Sequence, residues 1–202
     1  VGWFGFNGGS ALSAGGDAAM AILVTHISAA AGAMTWMFYE WVKFGKPTAL
    51  GSVTGMVAGL GTITPASGFV GPAGALVIGI IAGVVCFNAV IIIKQKFKID
   101  DSLDVFPVHG VGGICGTMLV GFFASKELGI FSGQGGWSHE AIVISDQLQI
   151  QFTAVIATVA YTALATFIIL KLVDLVTGLR VDSQTEIQGL DLDSHGEKGY
   201  DL

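Results

Sequence analysis

The sequence predicts an all-α, polytopic membrane protein with about five complete transmembrane helices and the end of a sixth. Three observations predict it. Residues 47–93 contain no Asp, Glu, Lys or Arg, a run long enough for two spans although two breaks rich in Gly and Pro interrupt it. The chain is 52% hydrophobic and 12% charged, where soluble domains carry about 25% charged residues. Its 30 glycines show no Gly-X-Y period, which excludes collagen and suits membrane helices whose backbones approach closely.

The elements follow in order. Residues 1–9 read as the tail of an apolar segment. The opening Val1-Gly2-Trp3-Phe4-Gly5-Phe6 has no initiator Met and no charged n-region, so it is not a signal peptide. The chain is expected to start inside a membrane segment, as a fragment or processed half of a longer protein. Residues 8–17 form a small-residue loop with Asp17 as a helix N-cap. A span over 18–42 is interrupted only by His26 and by Glu40, and Trp36, Tyr39 and Trp41 read as interface aromatics. A third covers 48–62 and ends at Thr64-Pro65-Ala66-Ser67-Gly68. A fourth covers 72–93, followed by a charged loop over 94–101. A fifth covers 104–124, followed by a polar, Gly-rich loop over 125–146. The last covers 147–170, with Lys171 and Asp174 continuing the helix out of the membrane. Residues 1–177 are thus the transmembrane domain and 178–202 a polar tail.

Charge orients the spans. If they alternate, eight of the nine Lys and Arg fall on the side of the loops at 43–46 and 94–101 and the tail; only Lys126 falls opposite. The positive-inside rule puts that side, including Arg180 and the C-terminus, in the cytoplasm of a cell-membrane protein.

Several function classes drop out. The net charge of −6 sits mostly in the loops and tail, and no basic patch offers nucleic acid a surface. Cys86 and Cys115 lie in apolar segments as small core fillers. One His per span, with no Cys or carboxylate at ligand spacing, argues against a metal site. No hydrolase, zincin or Walker motif is present, so neither enzyme nor cofactor chemistry is expected. Transport and sensing across a membrane remain.

His109 is the most informative polar residue, inside an apolar span and one turn from charge. Ionisable groups at membrane depth usually mark pathways; alternatively the ring bonds a carbonyl freed by Pro107. Trp3, Phe4 and Phe6 with Asn7 and Ser10 suit a cation site of ring faces and a hydroxyl, or an aromatic belt. The break at 62–65 either lines a cavity or ends a helix.

Four stretches carry a family resemblance. They are Gly2-Trp3-Phe4-Gly5-Phe6-Asn7-Gly8-Gly9-Ser10, Thr64-Pro65-Ala66-Ser67-Gly68-Phe69-Val70, the run from Asp100 through Asp104 and His109 to Gly113, and Gly189-Leu190-Asp191-Leu192-Asp193-Ser194-His195-Gly196-Glu197. In this order and spacing they resemble the ammonium transporter (Amt/Mep/Rh) family. The resemblance spans the whole chain and implies the second half of its inverted-repeat fold, from the end of the sixth helix through the eleventh and the tail.

The resemblance also implies roles. Phe6 matches a phenylalanine that closes the pore below an outer cation site, Ser10 the serine that helps hold ammonium there, and Trp3 a tryptophan lining the pathway. Thr64 matches a pore-lining threonine, and His109 the second of two touching pore histidines. Asp101, Asp104, Asp191, His195 and Gly196 match structural or regulatory positions. The partner histidine and the outer-site aromatics belong to the first half, so this piece requires its own N-terminal half. Implied partners are ammonium or ammonia, the lipid bilayer, two further copies in a homotrimer and a PII-type signal protein. The implied mechanism recruits ammonium outside, deprotonates it and conducts ammonia along an apolar, histidine-lined pore. The alternative is an ammonium sensor that signals through the tail.

Overall fold

The computed structural model describes residues 1–125, 131 and 142–199. The expected loop over 125–146, with Lys126, lies largely outside the described residues. Two compact units are present, Val1–Val155 and Ile156–Leu202.

The first unit opens with α1 (Gly2–Gly9), so Gly8 and Gly9 are helical where a loop was expected. The second helix, α2, spans Gly16–Phe44. It is capped by Gly15 with no side-chain bond, so Asp17 lies within the first turn and is not the N-cap. An acid there still faces the positive end of the helix dipole. At its other end Gly45, with φ 79°, closes the helix in the left-handed conformation, and its N–H donates to Trp41 O at 2.9 Å.

Helix α3 (Ala49–Ile63) is started by Thr48, whose Oγ1 accepts from Gly51 N–H at 2.8 Å. The Glu40 carboxylate reaches over from α2 and accepts from Thr48 N–H at 2.7 Å. Past Ile63 the chain tightens into a 3₁₀ turn, Thr64–Ala66, so the break is a tapered helix end whose Thr64 and Pro65 also line a cavity. Pro72 begins α4 (Pro72–Ile91), where its missing N–H costs nothing. A π-helical turn, Ile92–Lys96, prolongs α4, so Lys94 and Lys96 ride on a helix where a loop was expected. Another π turn, Phe106–Val111, leads into α5 (Gly112–Phe123), and α6 follows at Ile144–Val176. Among the described residues, five helices are long and apolar enough to cross a membrane.

Small residues let α2, α3 and α4 pack at backbone distance. Ser28 and Gly32 face Gly55 and Gly59 of α3 and Gly79 and Gly83 of α4. A side chain at Gly59 would collide with Ser28 O, and one at Gly32 with Gly55 O. Ser28 Oγ donates to Gly59 O at 2.9 Å across the same seam. Lipid tails are as apolar as leucine, so close van der Waals fit and such bonds, not hydrophobic exclusion, hold the helices together.

Two clusters flank this seam. Val24, Ile63, Val70, Ile78 and Val120 form one; Trp36, Ala58, Cys86, Phe87 and Val108 form the other. Trp36 is therefore core and not part of an interface belt: it is 4% exposed and meets Phe87 edge-on at 5.2 Å. The aromatic Phe87 on the facing helix draws it inward. Trp41, 61% exposed, does point outward.

The second unit comprises the later part of α6 and two short helices, α7 (Ser183–Gln188) and α8 (Leu190–His195). The tail is stapled locally by side-chain bonds. Asp182 caps α7, and Thr185 Oγ1 lies 3.1 Å from Asp182 Oδ2 and 3.3 Å from Asp193 Oδ2.

Candidate functional site

Three elements of the first unit bring the pore candidates together. Helix α1 supplies Trp3, Phe6, Asn7 and Ser10; the 3₁₀ turn after α3 supplies Thr64; the π turn before α5 supplies His109. Trp3 Nε1–H donates to Thr64 Oγ1 at 2.8 Å. The same indole stacks on the His109 ring, centroids 6.3 Å apart and planes 13° apart. Phe6 meets Trp3 edge-on at 6.2 Å. One indole thus ties the gate candidate Phe6, Thr64 and the imidazole into a contiguous wall.

His109 is placed by backbone geometry. Pro107 stands at the start of the π turn Phe106–Val111, where its missing N–H costs nothing, and that turn carries His109. The backbone around His109 is anchored: Val108 is 2% exposed, and the Cys86 thiol sits 3.9 Å from its carbonyl. Gly61 of α3 leaves room beside the ring; an added Cβ would lie 3.9 Å from Nδ1. The ring itself is exposed on this chain, and among the described residues neither nitrogen makes a hydrogen bond. A bond from the ring to a carbonyl freed by Pro107 is therefore not formed. Phe6 is likewise 62% exposed, so the wall presents its aromatic and imidazole faces outward.

Behind the wall lies a polar network that sequence reading did not assemble. Asn7 is 3% exposed, and its Nδ2 donates to Thr25 Oγ1 at 2.9 Å and Thr64 Oγ1 at 3.4 Å. Thr25 is fully buried. An amide and a threonine in apolar segments were the available signal, but their 18-residue separation hides the pairing. Ser10 Oγ donates to Phe6 O at 2.7 Å, and Ser10 borders a cavity of about 200 Å³ with Asn7, Asp17, Thr64 and Ser67.

The remaining candidates sit elsewhere. Asp101 accepts from Val105 N–H at 2.9 Å and Phe106 N–H at 2.8 Å, capping the helix that carries His109. Asp104, in the left-handed region at φ 54°, pairs with Lys94 at 2.9 Å. His26 is exposed and meets Phe4 edge-on at 5.8 Å, apart from the indole wall.

In the second unit Asp191 accepts from Gly199 N–H at 3.2 Å, and this bond holds its carboxyl below the usual range. Gly196, φ 67°, closes α8 just after His195. The Arg180 guanidinium bonds both oxygens of Glu186 and lowers its pKa, while backbone N–H groups of α7 do the same for Asp182.

Known proteins share this sequence and architecture. The model of the Ammonium Transporter Family matches residues 1–200. Ammonium transporter Amt1 of Archaeoglobus fulgidus is 47% identical over 199 residues, 98% of this chain and 49% of its own length. An ammonium transporter of Bacillus subtilis is 45% identical over 98% of this chain and 48% of its own. The solved structure described as Sensor Amt Protein superposes with a TM-score of 0.83 at 32% identity, over 95% of this chain and 45% of that one. Saccharomyces cerevisiae Mep2 superposes at 0.73 with 38% identity, over 87% of this chain and 42% of its own. The chain spans about half the length of the curated relatives it matches. With spans suited to a bilayer and a family match along nearly its whole length, this multi-pass membrane chain belongs to the ammonium transporter family.

Proposed function

We propose that the full-length protein carries ammonium across a membrane by recruiting the ion outside, stripping a proton and passing ammonia along an apolar path lined by His109. The observation that supports this most is the indole bridge, with Trp3 bonded to Thr64 and stacked on His109. A conduction wall needs apolar faces of fixed position with sparse, oriented polar atoms, and this bridge supplies both. The relatives are named as ammonium transporters, not enzymes, and the transport reading is preferred to the sensor reading on that ground.

The chemistry runs in order. Ser10 and aromatic faces hold ammonium through a hydrogen bond and ring quadrupoles. Taking a full charge past Phe6 into an apolar bore costs roughly several kcal/mol or more. Desolvation lowers the pKa of a cationic acid, so the ion hands its proton to a water molecule at the outer mouth. Neutral ammonia then passes Trp3 and Thr64 to the imidazole of His109, whose two nitrogens serve as donor and acceptor. The exposed face of Phe6 and His109 is where the N-terminal half closes the bore. Residues 1–177 form the membrane domain, and 178–202 a tail on the cytoplasmic side of the cell membrane. Asp101 and Asp104 set the helix that bears His109; Asp191, His195 and Gly196 shape the tail. Three copies assemble, each with its own path, and the tail is the surface for a PII-type protein.

The test is methylammonium uptake by the full-length protein in cells lacking their own ammonium uptake, compared with His109→Ala. Wild-type uptake and a clear loss of rate or selectivity in the variant are expected. Unchanged uptake and selectivity would remove His109 from the path.

A further inference from the structure

Helix α3 carries four glycines, and packing within this chain accounts for three of them. A Cβ at Gly51 would collide with the Glu40 carboxylate, one at Gly55 with Trp36 Cβ and one at Gly59 with Ser28 O. These three stand four residues apart and share the face that meets α2. Gly61 lies off that face. At about 100° per residue it points roughly 200° round the helix from Gly59, toward the π turn that carries His109.

Among the described residues nothing demands a glycine at 61. A Cβ there would stand 3.8 Å from Val108 O and 3.9 Å from His109 Nδ1, both ordinary van der Waals distances. The backbone is helical, a conformation open to any residue. Glycine weakens a helix interior relative to alanine, so it costs stability here with no close packing to offset the loss. What its missing side chain leaves is open volume against one edge of the imidazole. The indole of Trp3 already holds the ring from its face, with the planes 13° apart. Val108, 2% exposed, holds the backbone behind it. The Nδ1 edge is therefore the side on which residue 61 decides how much room remains.

We propose that Gly61 is a specificity-determining residue of the transport path: lacking a side chain, it sets the free width beside Nδ1 of His109 and so admits an amine that carries an N-methyl group. The choice of solute rests on the transport reading. Ammonia and methylamine offer the imidazole the same nitrogen lone pair and differ by one methyl group. A wall that bonds the nitrogen of both equally tells them apart by space. A methyl or isopropyl group on residue 61 occupies that space and penalises the methylated amine first.

The experiment measures uptake of ammonium and of methylammonium by proteoliposomes holding the purified full-length protein, as wild type, Gly61→Ala and Gly61→Val. The ratio of methylammonium to ammonium uptake is expected to fall about threefold in Gly61→Ala and about tenfold in Gly61→Val. Gly61→Ala is expected to melt at or above the wild-type temperature. A ratio that is the same in all three overturns the assignment. So does a lower melting temperature in Gly61→Ala with an unchanged ratio, which would give the space to a helix of the N-terminal half. Should Gly61→Val fail to fold, Gly61→Ala decides. A second readout needs no flux. In protein carrying isotopically labelled histidine, the Nδ1 magnetic resonance of His109, identified by its loss in His109→Ala, is expected to be displaced in Gly61→Ala. An unmoved resonance overturns the proximity on which the proposal stands. A wild type that moves neither solute ends the transport reading, and a displaced resonance then still places residue 61 as the limit on room at the ring.

Discussion

Trp3 and Thr64, 61 positions apart, are joined by a 2.8 Å hydrogen bond from the indole Nε1–H to the threonine hydroxyl. Thr64 Oγ1 also takes the Asn7 amide at 3.4 Å and gives its own proton to Leu60 O, so one hydroxyl organises an indole, an amide and a helix end. Thr64→Val keeps the shape and removes the acceptor, leaving two donors facing a methyl group. A loss of about 1–3 kcal/mol is expected, with Thr64→Ser close to wild type. Thermal unfolding of the full-length protein in detergent checks the order, and altered indole fluorescence in Thr64→Val reports that Trp3 has left the stack on His109. Equal melting temperatures for the valine and serine variants would count against the hydroxyl.

Two glycines are required for different reasons, and substitution separates them. Gly59 has no room: a Cβ would meet Ser28 O and stand 3.0 Å from Ala29 Cα, both backbone. Backbone cannot swing aside as a side chain can, so Gly59→Ala is expected to cost about 1–3 kcal/mol and to prise α2 from α3. Gly45 has open space around it but sits at φ 79°. Gly45→Ala is expected to cost about 1 kcal/mol from backbone strain alone, and Gly45→Asn less, because Asn tolerates the left-handed region. Melting curves of the three variants test the ranking.

The spans were legible because their signal is one-dimensional: residues 47–93 carry no charge, and no soluble arrangement tolerates that. What escaped depended on neighbours distant in sequence. Trp36 read as an interface aromatic until Phe87 proved to face it. Lys94 and Lys96 read as loop residues, yet long side chains let a helix run on while the ammonium groups reach outward, and Asp104 anchors one of them. Asp17 lost its N-cap role by two residues, within the ordinary spread of helix ends. Of the site, the residue types and the four motifs were readable. The indole bridge and the Asn7–Thr25 pair were not, because nothing in a single strip of sequence sets residue 3 beside 64 or 7 beside 25.

Asp101 and Asp104 should behave differently although both are acids at one helix entrance. Asp101 answers two backbone N–H groups, so Asp101→Ala is expected to cost about 1 kcal/mol or somewhat more, as removal of a helix cap does. Asp104 makes a partly exposed ion pair with Lys94, and Asp104→Asn should cost less than about 1 kcal/mol because solvent screens the pair. Asp104→Val is the discriminating variant. A β-branched residue at φ 54° is strained, so it should be less stable than Asp104→Asn by more than the ion pair accounts for. Matching melting temperatures for the asparagine and valine variants would show that the backbone there is free to relax.

The tail should loosen with acid. Asp182, Glu186 and Asp191 are each held below their ordinary values, Asp182 by backbone N–H groups of α7, Glu186 by Arg180, and Asp191 by Gly199 N–H. A carboxyl whose folded pKa is lowered stabilises the fold fully above its unfolded value and loses that contribution as pH falls through the folded one. The ordinary values are 3.8 for Asp and 4.5 for Glu, so α7 and α8 should hold from neutral pH to the upper end of that range and weaken below it. Amide hydrogen exchange across Ser183–Gln188, corrected for the intrinsic pH dependence of exchange, measures this directly. Asp182→Ala removes both the cap and the charge without acid and should speed that exchange several-fold at pH 7, with Asp182→Asn, a good cap without the charge, between it and wild type. Protection that stays constant from pH 7 to pH 3 in the wild type would mean the tail helices owe nothing to these three carboxylates.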